Sequence, residues 1–124
     1  MTKKEIIENY IRAFNSFDVP GMLQYLHDEV VFSNISNGEV NLSLQGIEAF
    51  REQAEQAAKL FKEREQVILQ YQEQENTAEV TIAYRAVLAI DFSKDMKAGD
   101  TLTLKGKTIF GFQYDKIISI EDHS

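Results

Sequence analysis

At 124 residues, with 44% apolar and 27% charged positions, the chain has the size and makeup of one globular domain with a core of its own. A net charge of −7 and the absence of a basic cluster argue against a nucleic-acid partner. No apolar run reaches the roughly 18 residues needed to span a bilayer, and the lack of cysteine excludes disulfides, thiolate metal sites and a cysteine nucleophile.

Residues 3–17 place Ile6, Ile7, Tyr10, Ile11, Phe14 and Phe17 at helical spacing, with Thr2 or a neighbour as the cap. Asp18 reads as the N-cap of a short helix, Val19–His27, with Pro20 in the first turn, where a missing N–H costs nothing. His27, beside Asp28 and Glu29, reads as a cap at that helix's C-terminus. VVFSNIS then alternates as a strand, with Val30, Phe32 and Asn34 on one face. NGEVNLSLQ begins as a loop with an Asn-Gly turn signal. A third helix is expected from Gly46 to Phe61, its apolar line being Ile47, Phe50, Ala54, Ala57 and Phe61.

Strand patterns fill the rest. Gln66–Gln74 puts Val67, Leu69 and Tyr71 on one face. Ala78–Phe92 points Val80, Ile82, Tyr84, Ala86, Leu88 and Ile90 inward. Thr101–Tyr114 aligns Leu102, Leu104, Thr108, Phe110 and Phe112, and Ile117–His123 aligns Ile118, Ile120 and Asp122. The order α-α-β-α-β-β-β-β predicts a single α+β domain over residues 1–124. Its expected shape is a cone: a curved antiparallel sheet wrapped on three N-terminal helices, with a cavity open at one end.

YIRAFNSFDVPGMLQYLHDEVVF, QGIEAFREQ and FGFQYDKIISIED resemble the opening helices, third helix and closing hairpin of the nuclear-transport-factor-2-like superfamily, in its SnoaL-like and ketosteroid-isomerase-like branch. The resemblance covers nearly the whole chain in element order. It implies a cystatin-like cone, a homodimer joined through sheet faces, and the isomerase's catalytic positions at Tyr10, Asn34 and Thr108. The isomerase uses an aspartate base with a tyrosine and a protonated aspartic acid as oxyanion donors. Here only the tyrosine is retained. An amide cannot take a proton at neutral pH, so Asn34 is no base, and Thr108 lacks the acidity of a carboxylic acid. Steroid isomerisation by that mechanism is rejected.

Each candidate residue has two readings. Asn34 is a ligand contact or a strand-end amide bonded to backbone. Tyr10 sends its hydroxyl into the cavity or is a core aromatic. Tyr84 is a pocket donor or a core filler. Asp122 is the one obvious inward carboxylate, a candidate general acid or base among apolar walls, or else a solvated residue on a fraying strand. Phe14, Phe17, Phe32, Phe50, Phe61, Phe110 and Phe112 line the cone or fill it. The expected ligand-binding set is Tyr10, Phe14, Phe32, Asn34, Tyr84, Thr108, Phe110 and Asp122. With two well-separated histidines, a zinc site would need carboxylates as its other ligands; no metal and no cofactor are expected.

Ile68, Thr81, Ala83, Val87, Ala89, Ile109 and Gly111 form an apolar outer sheet face, expected to be the homodimer interface. No apolar stretch follows Lys3 and Lys4, so no signal peptide is expected and a cytoplasmic setting is. The leading expectation is a pocket protein for a small, partly apolar organic molecule. Its alternatives are an acid/base isomerase, cyclase or hydrolase using Asp122, and a non-catalytic interaction module with a filled cone.

Overall fold

The computed structural model describes residues 1–124. Thr2 and Glu5 close a capping box that starts helix α1 (Lys3–Asn15), whose buried stripe is Ile6, Ile7, Tyr10, Ile11 and Ala13. Asp18 caps the next helix by accepting from the Gly21 N–H at 3.0 Å. That helix, α2 (Val19–Leu23), is shorter than expected. Leu26 is already buried in strand β1 (Leu26–Ser36), in register with Ile117, so the chain leaves the helix early. His27 consequently caps no helix; its Nδ1 accepts from the Glu29 N–H at 3.0 Å.

The segment read as a loop start is strand β2 (Glu39–Gln45), absent from the expected order. Asn37 and Gly38 take φ of 54° and 80°, a tight turn whose twist suits a hairpin, so β1 folds back on β2 directly. Helix α3 (Ile47–Ala58) ends before Phe61, which opens strand β3 (Phe61–Glu73) in register with Leu88. Strands β4 (Thr77–Leu88), β5 (Thr101–Gln113) and β6 (Lys116–His123) follow. Ile90, expected inward, lies past the end of β4 and is exposed.

The six strands form one curved sheet in the order β2-β1-β6-β5-β4-β3. It is not wholly antiparallel, because β6 lies between β1 and β5 and runs parallel to β1. Bulges correct two face assignments. In β3 the register skips Leu69, so Ile68 faces the core opposite Ile82 while Val67 and Leu69 lie exposed. In β6 it skips Ile118, so Ile117 is fully buried in its place. Ile68 therefore leaves the expected outer face. A bulge adds a residue and bends its strand, which helps the sheet curl over the helices. The core between sheet and helices includes Ile7, Val30, Val80, Phe110 and Ile117.

Candidate functional site

Sheet and helices enclose an open-ended cavity of about 430 Å³. Its walls are mostly apolar, and T-shaped ring pairs stiffen them: Phe32 with Phe50 at 5.9 Å and Phe61 with Tyr84 at 6.4 Å. All eight residues singled out from the sequence line it: Tyr10, Phe14, Phe32, Asn34, Tyr84, Thr108, Phe110 and Asp122. Of the phenylalanines expected in the cone, Phe17 and Phe112 are not in the lining.

Register brings one polar group together. Asn34 on β1, Asp122 on β6 and Thr108 on β5 are side by side across three adjacent strands. The Thr108 hydroxyl donates to Asp122 Oδ1 at 2.8 Å. Asp122 is held by pairing on both sides, the opposite of a frayed end. Burial raises its carboxyl above the usual aspartate range, while the Thr108 hydrogen bond and His123 hold the rise back. A carboxyl so placed, next to the Asn34 amide, can hold or release a proton at a ligand oxygen.

Tyr10 packs edge-on against Phe110 at 5.9 Å. Its phenol is pushed far above the usual tyrosine value, first by burial and then by the charge of Asp122, with Arg64 pulling the other way. Tyr10 is thus a neutral donor within electrostatic reach of both groups.

Arg64 and Gln66 carry no signal in the sequence: Arg64 lies in the polar run before the expected strand Gln66–Gln74, and Gln66 opens that strand on the face opposite Val67, Leu69 and Tyr71. With β3 beginning at Phe61, they fall inward beside Ala86 and Tyr84. Asn15 fixes this strand to the end of α1, its amide donating to Gln66 O at 3.2 Å and accepting from the Gln66 N–H at 2.8 Å. Arg64 is 6% exposed and donates through Nε to Phe14 O at 2.8 Å. Its guanidinium lies 3.7 Å from the Phe14 ring centre and 4.6 Å from that of Phe17. Leu42 and Leu44 of β2 also line the cavity, unforeseen because that strand was not.

The SnoaL-like domain family matches residues 7–120. The chain belongs to that family. No curated protein matches it. Among solved structures, this SnoaL-like chain is similar to a proposed polyketide cyclase from Xanthomonas campestris, at 17% identity and TM-score 0.82, covering 98% of this chain and 88% of that one. It is also similar to a Catenulispora acidiphila protein with a ketosteroid-isomerase-like fold in complex with trimethylamine, at 10% identity and TM-score 0.79, covering 99% and 87%. TerC, co-crystallised with polyporic acid, matches at 19% identity and TM-score 0.76, covering 96% and 88%. At these identities the likenesses show the nuclear-transport-factor-2-like fold. No helix of the SnoaL-like chain is long and apolar enough to cross a membrane.

Proposed function

We propose that this SnoaL-like protein binds a modest-sized, partly apolar organic molecule in the cone, without a cofactor. The observation that carries the reading is a 430 Å³ cavity with aromatic walls and a few convergent polar groups, the usual makeup of a small-molecule site. Neighbours of the same fold in complex with trimethylamine or co-crystallised with polyporic acid support it. The eight lining residues named above form the proposed contact set. A cytoplasmic homodimer completes the proposal, resting on the cysteine-free composition and on the outer sheet face.

The test is an NMR titration with a panel of aromatic fragments. Binders should shift resonances of Phe32, Asn34, Tyr84 and Phe110 together. Ala57→Phe, which puts a ring into the cavity wall, should weaken them at least about tenfold, some 1.4 kcal/mol. Shifts confined to the outer sheet, or unchanged affinity in the variant, would remove the cavity as the site.

A second reading, an acid/base isomerase, cyclase or hydrolase, is favoured by Asp122 alone: a buried carboxyl with raised pKa beside a hydroxyl and an amide. It requires carbon-acid or epoxide turnover that falls at least about a hundredfold in Asp122→Asn, the usual worth of a general acid or base. Equal turnover in both forms excludes it. A purely interacting module with a filled cone is disfavoured by the open cavity.

A further inference from the structure

Arg64 stands without a counter-ion. It is 6% exposed, and no carboxylate forms an ion pair with it. Of its five N–H donors, only Nε–H has a protein acceptor, the Phe14 carbonyl at 2.8 Å, and Nη2 is buried with none. Two aromatic faces and one carbonyl at the end of α1 offset part of the charge. They leave both terminal nitrogens of the guanidinium without a protein acceptor, a positive charge that suits an anionic oxygen.

Its surroundings are donor-rich. Arg64 and Tyr84 are diagonal neighbours on the inner face, since Gln66 is in register with Tyr84 and Arg64 with Ala86. Phe14 touches both side chains, its ring lying 6.0 Å from that of Tyr84. The Arg64 charge is felt by both Tyr84 and Tyr10. Asp122, the one acidic side chain of the lining, lies away from this end. Thr108, bonded to Asp122, is in register with Val80, four residues along β4 from Tyr84, or roughly 13 Å at strand spacing. Of the other basic residues along the lining, Lys105 and Lys107 alternate with the inward Leu104 and Thr108 and so belong to the outer face, where Lys107 pairs with Glu79 at 3.3 Å; the His123 ring lies 2.9 Å from Glu121. So a protein of net charge −7 keeps an uncompensated cation in its cavity wall.

We propose that Arg64 and the Tyr84 hydroxyl form an anion-holding station, and that the ligand is a flat, largely apolar molecule bearing one acidic oxygen group such as a carboxylate. That group neutralises Arg64, the apolar body lies against Phe14, Phe61 and Phe110, and any neutral polar end meets Asn34 and Asp122. The inference rests on the cavity reading above and adds the ligand's charge.

The experiment compares 2-naphthoate with 2-naphthamide, matched in shape and differing in charge, by calorimetric titration and NMR. The wild type should bind the carboxylate at least about tenfold more tightly, as for a charge-assisted pair in a desolvated site. Arg64→Met should bring the two affinities within about twofold while the amide's own affinity holds. Tyr84→Phe should weaken the carboxylate selectively and serves if Arg64→Met does not fold. Arg85→Met, an outward arginine on β4, should change neither. Equal affinity of the wild type for both compounds overturns the station but leaves the cavity reading standing. Equal losses for both compounds in Arg64→Met make Arg64 a helix cap only. Binding of neither compound removes the cavity reading and the station together.

Discussion

Asp122 sets burial against charge, and its proton is the measurable consequence. In the unfolded chain the carboxyl ionises at its ordinary value. In the native protein, burial among Tyr10, Thr108 and Asn34 keeps it protonated to higher pH. The native state therefore binds more protons over that interval. The stability this group contributes is full below the ordinary aspartate value and is lost as pH rises through the raised native one. Asp122→Asn carries no charge at any pH and keeps an oxygen for the Thr108 hydroxyl. Thermal melts should show variant and wild type alike at about pH 4, and the variant more stable at about pH 8. A wild type that is the more stable at the higher pH would contradict this account. Alternation alone places Asp122 inward. Its burial is not legible in the same way, because that depends on strands from far along the chain pairing on both sides of it. Arg64 was illegible for the converse reason: a charge among charges carries no periodic signal.

Among the elements, helix α1 and strands β4 and β5 announce themselves, because each has a clear period and recognisable turn or cap residues. Strand β2 does not: Val40, Leu42 and Leu44 alternate over only a few positions, and the register skips Asn41. The bulges are invisible for a plain reason. An extra residue flips the side-chain phase, and nothing in the local sequence at Leu69 or Ile118 marks it. Strict alternation would bury Leu69 and expose Ile68; the fold does the reverse. Ile68→Ala should therefore cost about 2 kcal/mol, and Leu69→Ala should stay within about 0.5 kcal/mol of wild type. Urea denaturation of the two variants separates the two registers, and the opposite ranking would restore the unbulged strand.

For the whole molecule, the outer sheet face carries the homodimer proposal. Thr81, Ala83, Val87 and Ile109 lie there half-buried, Val67 is 45% exposed, and the Lys107–Glu79 pair sits among them. Their mixture of small apolar groups and paired charges suits a contact between copies, and a stable one needs about 1,000 Å² or more. Light scattering at micromolar concentration should give the dimer mass, and Val87→Glu should halve it. A monomeric wild type would end the proposal. The placement of β6 has a consequence of another kind, for the order in which the chain can fold. The hairpin β1–β2 and the meander β3–β4–β5 share no strand pair, and β6 is the only bridge between them. Its contact with β1 joins Leu26 to Ile117, about ninety residues apart. Closing so long a loop costs entropy before any contact repays it, and such pairings slow folding. Until β6 inserts, Asn34 and Thr108 belong to separate pieces of sheet with nothing between them. The β5–β6 hairpin can bring Thr108 to Asp122 locally, but the full row with Asn34 requires β6 to be paired with β1 as well.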